Sequence, residues 1–217
     1  MKYKTVFKTG VLALSVALLV SCGSSNQTDN ADEQSNPEVI KAEYTLDAST
    51  SSATWERTLD QKATKQKVKM FGQMVEVELG AVKLNSNGSV SIQSGTLTTK
   101  DEVIAEATAI FDMASFKIAQ EKGNGLFDVQ EYPSSTLKMT DFTADSTGYV
   151  AKGELTIQGA NATVDINLNQ TKTSNGYNLT GSLLINTMDF PLRDQVTAKD
   201  INKDEIVVTF ELRYAKE

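Results

Sequence analysis

Leu126–Phe142 reads LFDVQEYPSSTLKMTDF, and its order of apolar pair, proline turn and alternating run decides the fold. Leu126 and Phe127 follow a glycine-rich break at Gly123 and Gly125. At Tyr132-Pro133 the pyrrolidine ring fixes φ and pushes Tyr132 towards extended geometry. From Ser135 to Phe142, Leu137 and Met139 alternate with Lys138 and Thr140, the period of a half-buried strand. A plug, a turn and a strand in that order would close a β-barrel. The plainer reading, which these residues alone favour, is a loop feeding a strand.

The same alternation runs outward on both sides, from Glu43 to Glu217. Ala53, Trp55 and Arg57 alternate with polar neighbours, as do Val75, Val77 and Leu79. Val103, Ala105, Ala107, Ala109, Phe111 and Met113 share one face of a long strand, and Ile206, Val208, Phe210, Leu212 and Tyr214 share one face of the last. Asn85-Ser86-Asn87-Gly88 and Ser174-Asn175-Gly176 read as hairpin turns, because Asn and Gly accept φ > 0. A helix is expected only around Ala114–Lys122. About eight to ten short strands of this kind make an antiparallel barrel or sandwich. The alanines on the Val103–Met113 face are small for a strand, a weak pointer to a lumen.

Residues 1–21 read as a signal peptide. Lys2, Lys4 and Lys8 precede the apolar stretch Val11–Val20, which is short of the ~20 residues needed to span a bilayer. Leu19-Val20-Ser21-Cys22 then resembles the lipobox of bacterial lipoproteins, whose cysteine thiolate accepts a diacylglyceryl group. The resemblance implies cleavage before Cys22 and acylation there. Each buried CH₂ of the acyl chains contributes ~0.8 kcal/mol of membrane affinity. Residues 22–42 are mostly Ser, Asn, Gln, Asp and Glu, a composition that cannot bury a core. They read as a flexible tether spanning about 25 Å, and residues 43–217 as the folded domain. Asp29, Asp32 and Glu33 close behind Cys22 leave the membrane leaflet open.

The totals exclude more than the motifs add. A net charge of −7 over 217 residues argues against nucleic acid, which needs a basic face. With no histidine, the chain cannot build a Ser-His-Asp triad or an imidazole metal site. One cysteine allows no intrachain disulfide. Glu76 with Glu78, or Asp189 with Asp194, could be staged as glycosidase carboxylates, but a solvated strand or turn explains them better. Asp200, Asn202 and Asp204 lack the glycine and distal glutamate of a Ca²⁺ loop. Met70, Phe71 and Met74 read as core at a hairpin, or as an apolar lip at a barrel mouth.

Several pieces in order carry a family resemblance. They are Tyr44-Thr45-Leu46-Asp47 with Ser51–Trp55, Asp112-Met113-Ala114-Ser115-Phe116, Leu126–Pro133, Gly153–Gly159 with Val164–Leu168, and Met188-Asp189-Phe190. Together they make Tyr44 to about Tyr214 resemble the YceI-like family of bacterial envelope proteins. The resemblance implies an all-β, extended lipocalin-like antiparallel barrel of about eight strands with one short helix or loop insertion. It implies a long apolar lumen for an isoprenoid or other fatty amphiphile, with no catalysis, cofactor or metal.

By strand parity and by the plug reading, Trp55, Ala107, Phe111, Phe127, Leu155, Ile157, Ile166 and Phe210 are the candidates to line the lumen. Many relatives carry histidine ahead of the Phe-Asp-Val element and where Gln158 stands. Here the first place is the remodelled Gln120–Gly125, and glutamine cannot become cationic. The expectation is a lipoprotein of the bacterial envelope, held by acylated Cys22, most simply in the outer membrane, that carries or sequesters a lipid. A homodimer is compatible with it. The rival expectation is a non-catalytic stress or protein-interaction module with a closed core.

Overall fold

A computed structural model describes residues 39–118, 126–146, 148–192 and 199–216. Twelve antiparallel strands form within them: β1 (Lys41–Leu46), β2 (Ser52–Gln61), β3 (Thr64–Met70), β4 (Gln73–Leu79), β5 (Val82–Ser94), β6 (Thr96–Lys100), β7 (Val103–Asp112), β8 (Ser134–Ala144), β9 (Tyr149–Ile157), β10 (Ala160–Lys172), β11 (Gly176–Asn186) and β12 (Ile201–Ala215). Ten join one sheet in the order β1-β6-β7-β5-β2-β12-β11-β10-β9-β8, with further pairings β1–β12 and β7–β8. The β7–β8 pairing closes the sheet on itself. β3 and β4 pair only with each other.

Two of the ring's positions are held by bent strands. One edge of β12 pairs with β2 over most of its length and then with β1 through Tyr214 and Ala215. One edge of β7 pairs with β5 at Ile110–Asp112 and with β6 nearer its start. So β1/β2 and β5/β6 each behave as a single strand with a corner, and the ring has eight members. The first corner is held by Asp47, whose carboxylate accepts from the Ser49 amide and from the Ser49 and Thr50 hydroxyls. Those hydroxyl bonds hold its pKa below the usual carboxylate value. At the second, a Cβ on Gly95 would lie 2.2 Å from the Thr108 carbonyl oxygen, so only glycine lets the strands approach. Closure removes the free edges that would otherwise invite pairing with other chains.

The inward faces follow the period-two reading in most strands. Ala53, Trp55 and Arg57 are buried on β2, Leu137 and Met139 on β8, and Ile206, Val208, Phe210, Leu212 and Tyr214 on β12. The expected turn at Ser174–Gly176 links β10 to β11, where the Thr173 amide donates to the Gly176 carbonyl. Other tight turns place paired positive-φ residues at Phe71-Gly72, Asp101-Glu102 and Gln158-Gly159, as two-residue hairpins require.

Four expectations need correction. Asn85–Gly88 is not a turn but the middle of β5, paired with Thr58–Trp55 of β2. Gly88 is there for room: a Cβ would come within 2.8 Å of the Trp55 ring. The Val103–Met113 face is broken by a register shift between Thr98 and Thr99. Ile104 therefore turns inward, Val103 is exposed and Ala105 is half-buried. Of the region expected as helix, only a 3-10 turn at Met113–Ser115 forms, capped by the Asp112 side chain, and residues 119–122 lie outside the described residues. Finally, Val75, Leu79, Met70 and Met74 are not core: they are exposed on the β3–β4 hairpin.

Candidate functional site

The connections from β2 to β5, β7 to β8, β9 to β10 and β11 to β12 all lie at one end of the ring. Leu126–Pro133, which leads into β8, folds back into that end. Leu126 and Phe127 are both buried there. The Asp128 carboxylate accepts from the Gln130 and Glu131 amides, and the Tyr132 amide donates to the Asp128 carbonyl. Met113 N–H then donates to the Pro133 carbonyl, fixing the turn from which β8 starts. The plug reading of this stretch is the one the geometry adopts.

Three aromatic rings tie the plug to the wall. Phe116 stacks on Trp55 at 4.8 Å between centroids and meets Phe127 edge-on at 5.1 Å, the two favoured aromatic geometries. The Trp55 indole N–H donates to the Ser89 carbonyl at 3.2 Å. Beneath the plug lies an apolar cavity of about 30 Å³. Its walls are Val90 of β5, Phe111 of β7, Leu155 and Ile157 of β9, Leu183 and Ile185 of β11 and Val208 of β12, with Met113, Phe116 and Phe127 above. Ser135 also lines it, but its hydroxyl donates to the Thr156 carbonyl at 2.7 Å. Among the described residues, nothing polar is presented to an occupant.

Of the candidate lining residues, Phe111, Phe127, Leu155 and Ile157 meet at this cavity. Trp55 stands one ring behind it. Ala107, Ile166 and Phe210 are buried in the wall without lining it. The volume expected beside Ala107 is taken by its ladder neighbours Leu97 and Met139, and beside Ala109 by Leu137, each with no exposed surface. Phe116, Met113 and the β11 residues were missed. The signal that could have found Phe116 is its place just past the turn capped by Asp112. Cys22 and Gln120–Gly125 lie outside the described residues.

Among the described residues, the buried charges at this end are Arg57 and Asp204. Arg57 donates through Nε and Nη2 to the two carboxylate oxygens of Asp204 at 2.7 and 2.9 Å, and the Thr187 hydroxyl adds a third bond at 2.6 Å. All three residues are buried. The pair therefore clamps the turn after β11 to β2 and β12. Gln158, at positive φ in the β9–β10 turn, has an Oε1 shielded from solvent with no hydrogen-bond partner among the described residues.

Glu76 and Glu78 face Lys67 and Lys65 across the hairpin rather than each other around a substrate, and Asp194 lies outside the described residues. The opposite end of the ring is closed by tyrosines. Tyr214 donates to the Thr108 carbonyl and Tyr177 to the Glu102 carbonyl. Burial raises the pKa of both phenols.

A family model described as YceI-like domain matches residues 44–214. Among solved structures, the crystal structure of Burkholderia cenocepacia BcnA is 16% identical, with a TM-score of 0.41, covering 77% of this chain and 98% of that one. No curated protein matches the chain.

Proposed function

The chain belongs to the YceI-like family, and from that premise we propose that it binds one long apolar chain, an isoprenoid or similar amphiphile, inside the barrel, without catalysis. The observation that carries this is the plugged cavity: an apolar space at one barrel end, roofed by side chains rather than by a strand. Binding there scales with the apolar area removed from water, about 25 cal/mol per Å². A space of about 30 Å³ holds only one or two water-sized probes. A lipid chain therefore enters by displacing Phe116, Leu126 and Phe127.

The protein acts as a carrier or sequestering agent in the bacterial envelope, held through acylated Cys22 to the outer membrane. The lipobox and the apolar segment before it support that placement. Cys22→Ala should abolish metabolic labelling with palmitate and move the protein out of the membrane fraction.

Native mass spectrometry of protein purified without detergent, followed by lipid extraction, tests the ligand. A bound lipid, and uptake of a fluorescent isoprenoid, are expected. Neither lipid nor uptake would leave the second reading, a closed-core interaction module, which the filling of the space beside Ala107 by Leu97 and Met139 favours. Cross-linking on cells would then capture a protein partner, and cavity-filling substitutions would stabilise the fold without functional loss.

A further inference from the structure

The β3–β4 hairpin projects from the plugged end, beyond the point where Gln61 pairs with Val82. Its register puts Val68, Met70, Val75, Val77 and Leu79 on one face and Lys65, Lys67, Lys69, Glu76 and Glu78 on the other. Phe71 at the tip is wholly exposed, and Met74 is 63% exposed. A two-stranded hairpin is marginal in water unless something covers a face. Large exposed apolar residues are also gathered here, on the hairpin and around the adjoining rim, at Val82, Leu84, Leu184 and Met188.

We infer that this hairpin docks the plugged end of the barrel onto an anionic lipid bilayer, its tip in the interface and its lysines at the headgroups. The charge order fits. Glu76 and Glu78 lie towards the base, with Glu76 paired to Lys65 at 3.4 Å. Lys69, nearest the tip, faces Met74 across the ladder. Apolar groups thus lead, a cation follows them and carboxylates trail, the arrangement of an interfacial element whose apolar face sinks ~5–10 Å into the headgroup boundary. Lysine stems reach along that boundary with their ammonium groups in water. A flat interface with a second copy would use the Val68–Leu79 face but would leave Phe71, at the very end, without a role.

The docking needs only the bilayer. That it loads the barrel rests on the ligand reading above, and ligand uptake is measured separately so that either can fail alone. The test uses the full chain carrying Cys22→Ser, with one cysteine introduced either as Met74→Cys at the tip or as Ser146→Cys at the opposite end. Each is labelled with an environment-sensitive dye and mixed with vesicles of phosphatidylcholine, alone or with an equal part of phosphatidylglycerol.

A blue shift and quenching by spin-labelled lipid are expected at position 74 and not at 146, stronger with phosphatidylglycerol. At limiting lipid, K67Q and K69Q should each lower the shifted fraction about fivefold, and F71D should abolish it. A dye at 74 that stays in water on vesicle-bound protein would overturn the inference, as would equal responses at both positions. A shift that needs no vesicles and grows with protein concentration would overturn it in favour of a second copy.

Discussion

Replacing Asp204 by leucine should be the most damaging single change at the plugged end, and its cost follows from the geometry. The carboxylate accepts two bonds from Arg57 and one from Thr187, and Arg57 itself is only 4% exposed. Removing one partner of such a pair leaves a buried charge uncompensated, which costs about 3–5 kcal/mol. For a folded region of this size, each kcal/mol is about 2–4 °C in melting temperature, so D204L should melt about 6–20 °C lower. Arg57→Met with D204L removes both charges and should recover most of that loss, because an apolar replacement of a buried pair is often neutral or stabilising. Urea unfolding of the wild type, both single variants and the double variant closes the cycle. A coupling below about 0.5 kcal/mol, the scatter expected of independent sites, would refute the claim that the two residues act as one unit. Thr187→Val should cost about 1.5–3 kcal/mol, the range for a hydrogen bond to a charged group.

Leu155→Phe should fill the cavity and eliminate uptake of a fluorescent isoprenoid while costing no more than about 1–3 kcal/mol in crowding; uptake at the wild-type level would place the ligand elsewhere. Ala107→Leu should lose about 1–3 kcal/mol by overpacking against Leu97 and Met139, checked by chemical denaturation. Alkaline stability should depend on Tyr214. Burial raises its pKa in the fold, so its contribution is complete below the unfolded tyrosine value of about 10 and is lost progressively as the pH climbs above that value. Y214F should flatten this alkaline limb in melts run against pH, at the expense of the bond to Thr108. An unchanged limb would assign the effect to another group.

Where a strand meets the core on one side only, alternation was enough to read it: β12 and β8 show their buried faces in the order of their residues. It failed where a local event resets the phase. The register shift opposite Thr98/Thr99 leaves Ala105 as an extra residue of β7 and moves Ile104 inward, and nothing in the alternation of β7 announces that bulge. Gly88 misled for a related reason. A glycine beside asparagines looks like a turn, whereas the need for it comes from Trp55 on another strand. The apolar alternation of β4 was correctly a strand face but not a core face, because periodicity reports that a side is apolar and not what covers it. At the site, parity found Phe111, Leu155 and Ile157 and missed Phe116, which belongs to no strand.

Pairing of β1 with β12 has one more consequence. Thr45 and Ala215 are ladder partners, so the first and last strands of the domain are immediate neighbours, far from the plug. A short linker could join residue 216 to residue 40, and new termini could open at the β8–β9 turn, where the Asp145 amide donates to the Gly148 carbonyl. Such a permuted chain would keep every strand pairing while freeing the order in which they are made. The barrel would then be a ring that can be cut at its far end, with the plugged end left intact.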